Sequence, residues 1–544
     1  MTDFNLADCL EIVADIRSER PALIQGNRVV SWKDFDLNAD RIADWLQSVT
    51  AEIQITMAMY TYNDIAYLEA SYACIKTSII PVNINYRYKE QELLYLFDNS
   101  DAQIVLIHSD FVPSLNKILP QLDKIKGVII IGDAEIDSKF SHISVINYRD
   151  LLARKSSAIA AKDQARSGND KIIIYTGGTT GLPKGVMWRQ RDLYRTLAGG
   201  TDSAPPETYS LYHEFVSNTP KILKVLILPP LMHGTAFFSS LVVLLAGGSV
   251  ILASNTRVFD AREVLEIVEH RRPNAMSIVG DAFGQPLLKE LERKNYDISS
   301  IEFIASAGAI WSHRVKSGLL MRNKSMLLSD GLGSSEAHNI GSSITTMDNI
   351  DALTPRFSFN HNTLLLDDQM NPIEIKPGVK GMIAVSGSRP AGYYKDERKS
   401  KETFLRINGL ECTPSGDWVQ VNEDGITFSL LGRGSSCINT GGEKVFPEEV
   451  EMVIKQFVGI VDAVVVGIPD DKWGEVVTAV ISTDGEELDR EALVCFVRSK
   501  LANYKAPKNI VIVPRVFRGP NGKADYKLTK EIALTELNGG KATT

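Results

Sequence analysis

Residues 175–188, YTGGTTGLPKGVMW, concentrate the residue types that handle phosphate. Gly177, Gly178 and Gly181 are interleaved with Thr176, Thr179 and Thr180, and Lys184 closes the run. Glycine lets backbone N–H groups approach an anion, hydroxyls add donors, and the ammonium supplies charge. The loop is not GxxxxGK[ST], because Lys184 sits between Pro183 and Gly185 with no Ser or Thr next to it for a metal. It also lacks the GxGxxG spacing of a dinucleotide crossover. A second candidate is His233, in PPLMHGTAFF. On its own it reads as a core histidine, and no His or Cys at ligand spacing points to zinc.

Such residues must be presented by strands and helices. KIIIYT (171–176), VLIL (225–228), SVILA (249–253), MSIV (276–279), EFIASA (302–307) and SMLLSD (325–330) read as buried strands. Between them, AREVLEIVEHRRP places Val264, Leu265 and Val268 on one helical face and stops at Pro273. The pattern predicts an α/β fold with a largely parallel sheet covered by helices. Phe237, Phe238 and the apolar run 241–245 predict a core helix. Towards the C-terminus Pro447 marks a helix start, and VDAVVVGIP, GEVVTAVIS and NIVIVP read as strands around a helix over 489–501. That is an α+β unit of about a hundred residues, a normal size for a small domain. The small, polar stretch Gly432-Arg433-Gly434-Ser435-Ser436 marks the boundary, predicting domains 1–433 and 434–544.

A chain of 544 residues exceeds what one core holds, about 250–300 residues, so several subdomains are expected. With 44% hydrophobic and 23% charged residues it has an ordinary globular composition. A net charge of -8, without a long run of one sign, argues against a duplex nucleic-acid partner. Cys9, Cys74, Cys412, Cys437 and Cys495 are odd in number and form no CxxC pair, so neither a disulfide framework nor structural zinc is expected. No cationic n-region precedes an apolar stretch at the N-terminus, which predicts a cytoplasmic protein. Residues 225–254 carry no formal charge, but Pro229-Pro230, His233 and Gly247-Gly248 divide them into strand, loop and helix lengths. They are expected to be core, not a transmembrane segment.

The 175–188 segment resembles the phosphate-binding signature of the adenylate-forming superfamily, which includes acyl-CoA synthetases, luciferases and the adenylation domains of peptide synthetases. Further blocks follow in that superfamily's order from Tyr175 to Lys530, and RPALIQGNRVVSWKDFDLNADRIADWL is similar to its opening segment. SDGLGSSEA (329–337) resembles the block that implies magnesium at Glu336 and adenine beside Asp330, Gly331, Leu332, Gly333, Ser334 and Ser335. ASAGAIW (305–311) implies Ser306, Ala307 and Gly308 at the same site, lining the acyl pocket together with GDAFGQP (280–286). SGDW implies Asp417 on the ribose hydroxyls, LLGRGSS implies Arg433 on ribose and phosphate, and NGKADYKLTK implies Lys523 as the mobile catalytic lysine. His233 is implied as a gate between acyl and coenzyme sites. Gly441 and Gly442 of GGEKVFPEEVE are implied to flank the pantetheine channel, with Trp473, Lys505 and Lys508 as further coenzyme contacts. Two positions depart from the pattern: Ser435 replaces the usual Asp or Lys pivot, and GLGSSE has no tyrosine to stack on adenine.

The resemblance implies a large N-terminal α/β region with a small mobile C-terminal α+β domain. It also implies an ATP-dependent acyl-CoA ligase that uses Mg2+ and coenzyme A, with Lys523, Lys184, Glu336 and His233 as catalytic residues. The blocks are most similar to bacterial ligases of the fatty-acid and sterol-side-chain type, which implies a hydrophobic acid. Ala307, Gly308 and Gly284 are expected to leave room for it. Small aromatic or branched acids, delivery of acyl-AMP to a carrier protein, and a homodimer all stay open. A luciferase-like oxygenase has no supporting feature, and a non-catalytic relative would be expected to lose Lys184, Glu336 or Lys523.

Overall fold

The computed structural model describes residues 4–156, 166–176, 182–198, 205–309, 311–350, 355–433, 438–440, 443–470, 473–485, 488–519 and 524–539. The strands expected from the apolar runs are present as Lys171–Thr176, Lys224–Ile227, Ser249–Leu252, Ala275–Ile278, Phe303–Ala307 and Leu327–Leu332. Five of these six lie side by side in a fifteen-stranded sheet, parallel to one another and to Pro21–Gln25. Beyond Leu327–Leu332 that sheet turns antiparallel, through Gly341–Thr345, Phe357–Phe359, Thr427–Arg433 and Leu410–Val421.

The sixth strand corrects the expectation of one largely parallel sheet. Lys171–Thr176 belongs to a separate eight-stranded sheet, where it runs parallel to Ile80–Asn83 and antiparallel to Lys184–Arg189. The apolar runs report burial on both faces but not which neighbour each strand takes, and Ile80–Asn83 lies far away in sequence. The helix Ile65–Lys76 that precedes Ile80–Asn83 is fixed by a buried ion cluster. Lys76 Nζ lies 2.5 Å from Asp40, 2.7 Å from Asp36 and 3.4 Å from Glu11, carboxylates of the helices Trp32–Val49 and Leu6–Arg17.

Residues 225–254 resolve into strand, loop, the twelve-residue helix Gly234–Leu245 and strand, with Phe237, Phe238, Leu241, Leu244 and Leu245 buried. Among the described residues no helix is long and apolar enough to cross a membrane. The helix Ala261–Arg271 buries Val264, Leu265 and Val268 as the 3.6-residue period requires. From Ile438 onward a five-stranded sheet carries the helices Pro447–Ile454, Arg490–Lys500 and Tyr526–Gly539. Cys9, Cys74 and Cys412 are buried free thiols, and Cys495 is an exposed one.

Gly284 has a different use from the one expected. It lies in the helix Gly280–Arg293, where a Cβ would stand 2.7 Å from Val315 Cγ1 and 2.9 Å from Trp311 Nε1. Its small size lets that helix approach its neighbour Val315 on His313–Arg322, and it does not open space for an acid. Gly284→Ala should therefore destabilise the protein by about 1–3 kcal/mol through overpacking, while leaving acid-chain preference unchanged. A thermal melt and a chain-length series on the variant check both halves; a shifted chain preference at unchanged stability would contradict this assignment.

Candidate functional site

Residues at the carboxyl ends of parallel strands from both sheets supply the site, the usual place for ligands in open α/β sheets. Thr176 ends Lys171–Thr176, Ala307 ends Phe303–Ala307, Leu332 ends Leu327–Leu332, and His233 lies in the loop that follows Lys224–Ile227. The strand into the Gly/Thr loop returns as Lys184–Arg189, with Thr176 opposite Lys184 in the register. The strands on either side of the Gly/Thr segment are thus antiparallel neighbours, unlike the strand-to-helix flanks of a P-loop. The hairpin is pinned by Tyr175, whose hydroxyl donates to Asn99 Oδ1 at 2.6 Å, and by Tyr95, whose hydroxyl donates to the Pro183 carbonyl at 3.2 Å.

Glu336 sits at the tip of a second hairpin, between Leu327–Leu332 and Gly341–Thr345. The Ser334 N–H donates to the Ala337 carbonyl at 3.0 Å, and the Ala337 N–H donates to Ser334 Oγ at 3.0 Å. A Cβ on Gly333 would overlap the His338 carbonyl oxygen, so this turn closes only with glycine there.

The strand Lys184–Arg189 meets the Glu336 turn. Trp188 Nε1 donates to the Ser335 carbonyl at 2.9 Å. The Tyr393 hydroxyl donates to Glu336 Oε1 at 2.9 Å, and Lys184 Nζ lies 5.6 Å from the centroid of the same tyrosine ring. Burial, reinforced by the Glu336 charge, raises the Tyr393 phenol well above its ordinary value, so it remains a donor. Lys184 also lies 3.6 Å from Asp396. The Asp396 carboxyl is held below its ordinary range first by the Lys399 N–H and then by Lys184.

Other expected residues divide into groups. Asp417 is buried, unlike a solvated loop acid, and lies opposite Arg433 in the register of Leu410–Val421 and Thr427–Arg433. Gly308 has φ +89, and among the described residues a Cβ there would meet Val279 Cγ1 alone, at 3.9 Å. Ser306 Oγ accepts from the Gly280 N–H at 2.8 Å, anchoring the next helix. Asp330 is turned to structure: its carboxylate pairs with buried Lys316, and burial lifts its pKa. Trp473 is 40% exposed, with Lys508 Nζ 4.0 Å from its ring centroid. Lys505 is bound to Glu449 at 2.6 Å and is half-hidden, which removes it as a free cation for a coenzyme. Gly177, Gly178, Thr179, Thr180, Gly181, Gly441, Gly442, Ser435 and Lys523 lie outside the described residues.

The family described as AMP-binding enzyme matches residues 10–394, and AMP-binding enzyme C-terminal domain matches 449–523. The chain belongs to the AMP-binding enzyme family. This AMP-binding enzyme is 38% identical over 538 residues to a 3-oxocholest-4-en-26-oate–CoA ligase of Rhodococcus rhodochrous, covering 97% of this chain and 95% of that one. It is 37% identical over 534 residues to a medium/long-chain-fatty-acid–CoA/3-oxocholest-4-en-26-oate–CoA ligase of Mycobacterium tuberculosis, covering 97% and 96%. An anthranilate CoA ligase solved with anthranoyl-AMP shares the fold at TM-score 0.83 and 20% identity, covering 98% of each chain.

Sequence reasoning missed Tyr393 and Asp396. Neither stands in a chemically suggestive pattern. Tyr393 reaches Glu336 because Gly392–Tyr393 adds to the edge of the phosphate hairpin, pairing with Met187 and Val186. Only that long-range pairing carries the signal.

Among the described residues no group of three or more His, Cys, Asp or Glu side chains could hold a metal ion. The lone Glu336 carboxylate fits magnesium, which keeps much of its water and takes few protein ligands alongside substrate phosphates. Tyr393→Phe would leave that carboxylate unoriented. It should raise the Mg2+ concentration for half-maximal pyrophosphate release by about 10-fold, and Glu336→Gln should raise it further. Magnesium titrations of both variants that overlay the parent's would remove Glu336 as the metal ligand.

Proposed function

We propose that this enzyme activates a hydrophobic carboxylic acid, of the medium or long fatty-acid or steroid side-chain class, in two steps on one site. It is an AMP-forming acid–CoA ligase. A carboxylate oxygen attacks the α-phosphorus of ATP, and the bond to pyrophosphate breaks. The coenzyme A sulfur, its proton lost, then attacks the acyl carbonyl, and the carbon–oxygen bond to AMP breaks.

The contact that carries this reading is the one between the strand Lys184–Arg189 and the Glu336 turn, where Lys184 and Glu336 share Tyr393. A cation and a carboxylate suited to a metal are held on one tyrosine, at the strand end that follows the Gly/Thr segment, where ATP phosphates must be both gripped and neutralised. Thr176 and residues 177–181 cradle the phosphates, and Lys184 offsets charge on the departing pyrophosphate. Asp417 accepts from the ribose hydroxyls. Arg433 and Lys523 add positive charge, Lys523 during adenylation only. Leu332 and the backbone of residues 331–335 border the adenine without an aromatic stack. Glu336 would hold magnesium, which would supply Lewis-acid polarisation of the phosphates.

His233 lines a pocket together with the apolar Ile227, Leu228, Val279 and Phe283, the cationic Arg87 and Arg257, and the acidic Asp260. Apolar surface beside cationic side chains suits a flexible thiol arm that ends in phosphates. Gly441, Gly442 and the Trp473–Lys508 pair lie on the C-terminal unit that completes the coenzyme site. The loose surroundings of Gly308 among the described residues support room there for the acid's hydrocarbon. The full-length likeness to ligases named for sterol and fatty acids supports a hydrophobic acid over a small one.

A series of straight-chain acids, a steroid side-chain acid and benzoate, assayed for pyrophosphate release and thioester formation with and without coenzyme A, tests the reading. Each buried methylene contributes about 0.8 kcal/mol, so octanoate, with four more of them, should exceed butanoate by about 200-fold in kcat/KM. Thioester should accumulate only with coenzyme A present. Preference for butanoate or benzoate would overturn the acid class, and pyrophosphate release without thioester in the presence of coenzyme A would overturn the second step.

A further inference from the structure

We infer that Asn83 is a positioning residue that sets the end of the phosphate-loop strand and the loop before His233 in one register. It thereby ties the adenylation and thioester halves of the site together. The inference rests on the roles proposed above for the phosphate loop and His233.

Asn83 ends the strand Ile80–Asn83 and is 4% exposed. Its Oδ1 accepts from the Tyr175 N–H at 2.6 Å, and its Nδ2 donates to the Tyr175 carbonyl at 2.9 Å and to the Met232 carbonyl at 2.6 Å. The amide orientation is fixed by these partners: turned over, it would set an NH2 group against an N–H and an oxygen against two carbonyls. The backbone register between Ile80–Asn83 and Lys171–Thr176 pairs Val82 with Ile173. Past that point the Asn83 side chain takes over, holding both polar groups of Tyr175, the residue before Thr176 and the loop.

The third bond leaves the sheet. Met232 precedes His233 and follows the strand Lys224–Ile227, which belongs to the fifteen-stranded sheet, whereas Tyr175 belongs to the eight-stranded one. The rest of the same loop is held by Asn63, whose Nδ2 donates to the Pro229 carbonyl at 2.9 Å and whose Oδ1 accepts from the Leu231 N–H at 2.6 Å. Asn83 therefore bonds one loop from each sheet at the point where both enter the site. Without its side chain, two carbonyls and an N–H are left buried and unpaired, and the loops must shift to satisfy them. A displacement of that kind at reacting groups lowers rate as well as stability.

The test is a double-mutant cycle of Asn83→Ala and His233→Ala. Adenylation is read as single-turnover pyrophosphate release without coenzyme A, and thioester formation is read from supplied acyl-AMP and coenzyme A. Asn83→Ala should slow each step about 10-fold or more, the scale of one unpaired buried group. In the His233→Ala background, adding Asn83→Ala should change thioester formation less than about 2-fold, while still slowing adenylation about 10-fold. If the two losses in thioester formation multiply, Asn83 does not act through His233 and the inference fails while the proposed function stands. If His233→Ala alone leaves thioester formation unchanged, the role of His233 fails and the inference falls with it.

Should Asn83→Ala not fold, Asn83→Asp keeps the shape and the acceptor but loses both donors. Its thioester defect relative to the parent should shrink as pH falls and protonation of the new carboxyl restores one donor. A defect that is flat with pH would overturn the inference.

Discussion

A carboxylate can attack a phosphate only if two anions are brought together, and the arrangement of the site answers that constraint. Two unit charges 4 Å apart interact by about 4 kcal/mol at the effective dielectric of a protein surface, and ATP carries several. The proposed site meets this with charged groups positioned before substrate arrives. Lys184 is set by its place opposite Thr176 in a hairpin, and Glu336 by a turn that only glycine at position 333 can close. Neither hairpin sets the distance between them. That distance is held by Tyr393 and by the Trp188 bond to the Ser335 carbonyl.

The same logic explains why two sheets are used. Carboxyl ends of parallel strands collect backbone donors and short loops on one edge, but a single edge serves one ligand well. This enzyme must place nucleotide, acid and thiol around one carbon. The eight-stranded sheet delivers the phosphate loop, and the fifteen-stranded sheet delivers the His233 loop, Gly308 and the Glu336 turn. The ring contact of Phe238 with Trp188, 6.4 Å between centroids, and that with His338, at 5.1 Å, pack the two deliveries against each other beneath the site.

Much of this was legible in the sequence where the signal is local. Apolar runs bounded by Gly, Pro and polar residues marked the strands within a residue or two, and the Val264, Leu265, Val268 period marked a helix. The Gly/Thr/Lys composition of 175–188 suggested phosphate chemistry before any resemblance was drawn. Asp417 and Lys523 were suggested only by resemblance to whole blocks, since a single Asp or Lys carries no such information. What was not legible is long-range. The partner of the phosphate-loop strand and its Asn83 clamp lie 92 positions from Tyr175, and Tyr393 lies 57 positions from Glu336. Small size also misled: Gly284 and Gly308 look alike in sequence, yet one admits a helix and the other, among the described residues, is only loosely surrounded. Asp330, adjacent to the glycine-rich turn, spends its charge on Lys316.

The central claim is that the acid passes through a mixed anhydride with AMP at this site. A carboxylic acid labelled with 18O in both carboxyl oxygens tests it most directly, followed by mass analysis of the nucleotide after one turnover with ATP and coenzyme A. The attacking oxygen remains on the α-phosphorus when the thiol displaces AMP, so the account predicts AMP carrying one 18O and unlabelled pyrophosphate. Unlabelled AMP, or label in inorganic phosphate with ADP as the nucleotide product, would contradict it.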